Sequence, residues 1–317
     1  MQDVGRLTAL QWAAARGHRG LVELAIVNGA GIDKPLRSKL DPDVIKLADL
    51  IGDSRNLGRI FHWANYGAGT VAKDFILRTP LYLAACLGHL EAIVVLLATD
   101  ASMQCFGEMN TPAHVSAYRG DVHCMRAFIG AKFDINTRGL GGATVLHAAT
   151  ESGGVDMMTY LLGLAGGEKL INARDSNQQT PLHVTAAQYG LGEESKVKTE
   201  LLLQHGADIH ARDRMGNTPA HQAAIMGNVD TMRALIASGI DFHARNDSGQ
   251  TILHSAINGE QGMLEYLLGQ EGGRGIIHLG DNEGKTPLDD AVRLGESEAV
   301  KWLVEYGADR ACLVALP

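Results

Sequence analysis

A phrase that begins Thr-Pro-Leu-His, or a near relative of it, recurs along the chain in a fixed register, and such a repeat leaves few folds open. The clearest copies are Thr180-Pro181-Leu182-His183 and Thr218-Pro219-Ala220-His221. Thr111-Pro112-Ala113-His114, Thr144-Val145-Leu146-His147 and Thr251-Ile252-Leu253-His254 follow closely, and weaker copies begin at Thr8, Thr79 and Thr286. From Thr79 onward successive threonines stand 32, 33, 36, 38, 33 and 35 residues apart. A period of about 33 marks a two-helix unit that cannot bury its apolar face alone and must stack on its neighbours.

The residue types agree with that reading. Threonine is a good N-cap because its hydroxyl satisfies an orphan backbone N–H, and proline directly after it suits the first helical position. Leu182, Ala186 and Ala187, or Leu81, Ala84 and Ala85, recur at helical spacing, and small alanines let helices approach closely. After a break at Gly88 or Gly120 a second helix is expected, with apolar sets such as Ile93, Val94, Leu96 and Leu97, or Met158, Tyr160, Leu161 and Leu162. It is expected to end at a glycine able to adopt the left-handed turn. Asp175, Asp213, Asn246 and Asp281 each stand five residues before a threonine, in Gly- and Asp-rich stretches that read as tight finger turns between helix pairs.

The gap from Thr8 to Thr79 is 71 residues, about twice the period. A second landmark, the Gly-Ala or Gly-Ile pair closing each unit, lies twelve residues before the next threonine at Gly206 and Gly239. Counting the same way from Gly29 reaches Asp41, and from Gly67 reaches Thr79. The expectation is a single domain over 1–317, with nine repeats starting near 8, 41, 79, 111, 144, 180, 218, 251 and 286, of which 41–78 is degenerate.

These motifs resemble the ankyrin repeat over nearly the whole chain, from about Asp3 to Arg310. The resemblance implies an all-α solenoid of stacked helix-turn-helix units with finger-like turns. It also implies a scaffold for protein–protein interaction, used through the concave face that finger tips and first helices form. Mapped residue by residue, that face includes Arg16, Phe75, Ile76, Arg78, Leu87, Glu108, Tyr118, Arg119, Gln188, Arg214, Met215 and Met226.

The remaining features narrow the function classes. Cys86, Cys105, Cys124 and Cys312 show neither metal-ligand spacing nor a paired framework, which points to a reducing, cytoplasmic or nuclear, setting. No leader or stretch of roughly 18 apolar residues is present, so a membrane is not an expected partner. The net charge is −8, and residues 251–310 carry eleven Asp or Glu against five Lys or Arg. That disfavours nucleic acid and suits either a basic partner or a polar cap on the last repeat. Of thirteen histidines, those in the repeated phrase read as braces between turns. His210, His243 and His278 recur one per unit, about 10 Å apart, too far to share a zinc ion. No phosphate loop, His-Glu-x-x-His helix or serine elbow occurs, so neither a cofactor nor a metal is expected.

Repeat rules tend to break at functional sites, and the breaks cluster near the N-terminus. Tyr82 stands where histidine is expected, and Phe75, Ile76, Leu77 and Arg78 replace polar finger residues. The expected binding residues are Phe75, Ile76, Arg78, Tyr82, Leu87, Tyr118 and Arg119, since aromatic and arginine anchors dominate interface energetics. The partner is expected to be a protein of unknown identity. An alternative is a small-molecule ligand or an enzymatic pocket built from repeats two to four, with His62, Tyr82 and Tyr118 as acid–base or hydrogen-bonding groups. A third reading, an adaptor that has lost a partner domain, rests on a first repeat that starts near Met1 without a polar cap.

Overall fold

The computed structural model describes residues 9–33, 79–104, 110–188, 192–257, 259 and 262–309. The chain forms two compact units, Met1–Leu170 and Ile171–Pro317, and every regular element among the described residues is helical.

The first unit holds α1 (Ala9–Ala15), α2 (Arg19–Val27), α3 (Pro80–Leu87), α4 (Leu90–Ala98), α5 (Pro112–Arg119), α6 (Val122–Gly130), α7 (Val145–Ala148) and α8 (Gly154–Leu162). Thr79 and Thr111 cap α3 and α5, accepting from the backbone N–H groups of Tyr82 and His114 at 3.1 and 3.3 Å, with Pro80 and Pro112 in first position. Both helices stop at a left-handed glycine, Gly88 and Gly120. Inner helices α1, α3, α5 and α7 pack in sequence, and outer helices α2, α4, α6 and α8 pack beside them. Leu81, Ala84, Ala85, Ile93, Leu96, Met125, Phe128, Leu146 and Leu161 are buried between these layers. Val94, expected in this set, is largely exposed. Non-glycine residues take the left-handed position after two outer helices, Asp100 at φ 57° and Lys132 at φ 64°.

Between α7 and α8 the chain makes a single π turn, Ala149–Gly153. The sequence accounts for it. In the two preceding repeats the left-handed glycine falls nine residues after the capping threonine, whereas here it is Gly154, ten residues after Thr144. The extra residue is absorbed as a π bulge. That turn presses against the end of α5, where a Cβ on Gly153 would overlap the Ala117 carbonyl oxygen and a Cβ on Gly120 would overlap that of Gly153.

The first helix pair packs directly against the pair that begins at Pro80. His89 Nε2 lies 2.9 Å from the Ala15 carbonyl oxygen, and Ser102 N donates to Asp33 Oδ1 at 2.9 Å. The expected repeat over 41–78 lies outside the described residues.

The second unit holds α9 (Pro181–Ala186), α10 (Glu193–Gln204), α11 (Pro219–Ile225), α12 (Val229–Ala237), α13 (Ile252–Ile257), α14 (Met263–Gly269), α15 (Glu271–Gly275), α16 (Pro287–Leu294) and α17 (Ser297–Glu305). Its fingers are built as their sequence demands. One oxygen each of Asp175, Asp213, Asn246 and Asp281 accepts two backbone N–H groups, two and four residues on, at 2.8–3.0 Å. Neighbouring finger tips are joined by backbone bonds, Arg214 N to Asn177 O, Asp247 N to Met215 O and Asn282 N to Ser248 O. Beneath them Arg174 donates to Arg212 O, Arg212 to Arg245 O and Arg245 to Gly280 O. These arginines form a ladder from finger to finger.

Candidate protein-binding surface

The histidines of the repeated phrase are structural, as expected. In the second unit His183, His221 and His254 Nδ1 accept the backbone N–H of Thr180, Thr218 and Thr251 at 3.1–3.3 Å. Nε2 therefore carries the proton and donates to the carbonyl oxygens of Asn217, Gln250 and Lys285 at 2.9–3.1 Å. In the first unit His114 Nε2 likewise meets Ala143 O at 3.1 Å. Burial pushes His114 and His221 down to about 4 and also lowers His183 and His89. Protonating His221 Nδ1 would set a donor against the Thr218 N–H, so these rings stay neutral bridges and are poor candidates for proton transfer. His210, His243 and His278 are exposed, and no group of side chains among the described residues could hold a metal ion.

The positions expected to face a partner are those following the alanine pair of each first helix, together with the finger tips. In the first unit these are Cys86 and Leu87 at the end of α3 and Tyr118 and Arg119 at the end of α5. Leu87 and Arg119 are half-buried, and Arg119 reaches back to donate to Cys86 O at 2.7 Å. Tyr82 and Tyr118 are only 5% and 7% exposed. Both lie in the wall, beneath the surface they were expected to form. Tyr82 is buried because it occupies the inward histidine place, where the cap from Thr79 holds it. Phe75, Ile76, Arg78 and His62 lie outside the described residues.

In the second unit the equivalent positions are more open and apolar. Ile225 is 38% and Leu294 39% exposed, and Met215 on its finger tip is 68% exposed. Met215 is among the residues mapped from the sequence, whereas Ile225 and Leu294 are not. Their signal was available, since both follow the buried part of a first helix where the fold places no demand for an apolar side chain. Arg293 in the same helix pairs with Asp290 at 2.8 Å.

One titratable group in the first unit departs from the repeat pattern. Glu151 sits within the π turn, and burial pushes its carboxyl up to about 7. Cys124 is buried and donates to Asp121 Oδ2 at 3.1 Å, and its thiol is pushed up by burial and by that carboxylate. It is thus an inert thiol rather than a nucleophile. A groove of about 450 Å³ lined by Glu200, Leu203, Gln204, Ala207, Ile209 and Ser238 lies on the outer helices of the second unit. Tyr82 and Tyr118, the described members of the alternative catalytic set, belong to the first. No helix among the described residues is long and apolar enough to cross a membrane.

Similarity to known proteins points the same way. The E3 ubiquitin-protein ligase KEG of Arabidopsis thaliana is 24% identical over 339 residues, covering 91% of this chain and 20% of that protein. Transient receptor potential cation channel subfamily A member 1 of Homo sapiens is 27% identical over 173 residues, covering 53% and 15%. Inversin of Canis lupus familiaris is 26% identical over 239 residues, covering 74% and 18%. The chain spans about a fifth or less of the length of these relatives. Among solved structures, the ankyrin repeat domain of Bcl-3 superposes with a TM-score of 0.53 at 23% identity, covering 79% of this chain and 94% of that one. The human ASB11 ankyrin repeat domain gives 0.55 at 20% identity, covering 78% and 90%. At such identities the likeness concerns the fold. The family described as ankyrin repeats (3 copies) matches residues 81–173, 164–246 and 238–311. With those matches laid over helix pairs braced by their Thr–His caps, the chain belongs to the ankyrin-repeat family.

Proposed function

We propose that this chain is a non-enzymatic recognition module that binds a protein partner along the face made by its finger tips and the ends of its first helices. Ankyrin repeats are protein–protein interaction modules. The observation that carries the reading is the exposure of Met215, Ile225 and Leu294, apolar side chains on a finger tip and near the ends of two first helices that the fold does not need for its own core. A row of such groups beside polar finger tips has the make-up of an interface whose apolar centre is rimmed by polar residues. In the first unit Leu87 and Arg119 take the place of Leu294, eight residues after the capping threonine, and the sequence register adds Phe75, Ile76 and Arg78.

Affinity capture from a cell extract, followed by mass spectrometry, tests this with three chains: wild type, Met215→Asp/Ile225→Asp, and Leu87→Asp/Arg119→Glu. A thermal melt of each chain controls for folding, because Arg119 also donates to Cys86 O. A protein bound by the wild type and lost from one variant supports the reading and says which unit holds it. Capture that is the same for all three chains would remove these faces from consideration.

A further inference from the structure

The groove on the outer helices of the second unit has one charged lining residue, and the fold leaves that charge unanswered. The groove holds about 450 Å³ beside the last turns of α10 and α12. Ala207 is buried and Leu203 and Ile209 half-buried, whereas Glu200, Gln204 and Ser238 are exposed. Glu200 forms no hydrogen bond or ion pair among the described residues, because Lys196, one turn earlier, closes on Glu193 at 2.8 Å. The repeat register shows what this position does elsewhere. Arg126, Tyr160, Glu200 and Arg233 each stand six residues before the left-handed residue that follows an outer helix. Arg126 lies over the Tyr160 ring at 5.4 Å, so in the first unit a cation spans from one outer helix to the next. Glu200 and Arg233 take the same two places in α10 and α12. Arg233, however, leans over the ring of Tyr266 in α14, at 5.5 Å, and lies 3.9 Å from Asp230 on its own helix. Both helices also end at the groove, α10 at Gln204 and α12 at its C-cap Ser238, and the partial negative charge of their carbonyl ends adds to that of Glu200. His205, the C-cap of α10, keeps its ring on Leu201 O at 2.9 Å.

We propose that this groove takes a lysine or arginine side chain of a partner protein, its methylene stem against Leu203 and Ile209 and its charged head at Glu200. Such a side chain is apolar along its length and cationic at its tip, which is the order of surfaces that the groove presents. An anionic group would meet Glu200 and two helix C-termini of its own sign. A wholly apolar one would cover the carboxylate without pairing it, which costs free energy. The groove shares no residue with the face proposed above, so the two readings stand or fall separately.

Heteronuclear NMR of the isotopically labelled full chain tests this with the blocked tripeptides Ala-Arg-Ala and Ala-Lys-Ala. The same peptides with citrulline or acetyl-lysine in the centre keep the stem and lose the charge. One anchored side chain should bind in the millimolar range, so the titration runs to about 50 mM. The expected result is a saturable shift of the amides from Glu200 to Ile209 and of Ser238 with the charged peptides. Removing the charge from the peptide, or from the groove by Glu200→Gln, should each weaken binding by about fivefold. Glu283→Gln removes the same charge from a finger tip and should bind as the wild type does. The proposal is overturned by the absence of a saturable shift, by equal binding of charged and uncharged peptides, or by an unchanged affinity in Glu200→Gln. Shifts given by n-butylguanidinium but by neither charged peptide would assign the groove to a free small cation and equally overturn the protein-borne side chain.

Discussion

Acid should weaken the second unit through its neutral histidine bridges, and His221 allows the effect to be sized. Its ring is fully buried, with Nδ1 accepting from Thr218 N and Nε2 donating to Gln250 O. Its pKa falls to about 4 from the ordinary 6.5. A folded-state pKa below the unfolded one means that the contribution is complete above about pH 6.5 and is lost as pH falls toward 4, because the unfolded chain takes up the proton first. Between pH 7 and pH 5 these two values give a loss of about 2 kcal/mol from this residue alone. His183, also lowered by burial, acts with the same sign. The assay is amide hydrogen exchange of the intact chain at pH 7 and pH 5, corrected for intrinsic rates and read on α11 and α13, because a stacked repeat need not unfold in one step. His221→Gln keeps a polar side chain and cannot titrate. It should lower protection at pH 7 yet lose about 2 kcal/mol less than the wild type on going to pH 5. A variant with the full wild-type slope would refute the assignment. Glu151 in the first unit opposes the trend. Its carboxyl is raised to about 7, so its contribution is complete below its ordinary pKa near 4.5 and is lost as pH rises through 7.

Leu182→Ala and Leu253→Ala each remove a fully buried side chain and should cost about 2–5 kcal/mol in chemical denaturation; an unchanged midpoint for both would mean that the core register is wrong. Gly153→Ala drives a methyl group into the Ala117 carbonyl and should lower the melting temperature clearly more than Gly141→Ala, whose surroundings are open, although Gly141 alone of the two has a positive φ. Lys132→Gly replaces an exposed residue held at φ 64° and should raise stability by about 0.5–1 kcal/mol, read as a higher midpoint.

Most of the fold was legible because each repeat states its local rules in full. Thr79, Thr111 and Thr218 cap helices, Gly88 and Gly120 end them, and Asp213 and Asp281 close fingers through bonds that depend only on residues two and four positions away. Local chemistry of this kind survives in one sequence. The spacing from Gly29 to Asp41 and from Gly67 to Thr79 fits a further unit, which lies outside the described residues. The π turn was written in the tenth-residue glycine, Gly154, although only the close approach of Gly153 to α5 explains why that turn must be so tight. For the candidate surface, composition misjudged exposure. Tyr82 and Tyr118 are aromatic and were expected outside, but the inner wall of the first unit takes them in.

The second unit's fingers show why apolar groups such as Met215 are suited to recognition. Each finger is fixed three times over, by its own Asx turn, by a backbone bond to the neighbouring tip, and by an arginine that spans to the next finger's carbonyl oxygen. Met215 N donates to Asp213 Oδ1 while Met215 O accepts from Asp247 N, so both backbone groups of the residue are held and only its side chain stays free. Ordering a loop is a leading cost of association, and here that cost is met when the chain folds. Thioether side chains are adaptable as well as apolar, so a rigid backbone presenting a compliant tip can fit partners of differing shape without loosening the finger. Under the proposed function, Arg212, which bridges to Arg245 O and to Asp247, would support binding without touching a partner: its removal would soften two fingers at once and should weaken partner capture with Met215 still in place.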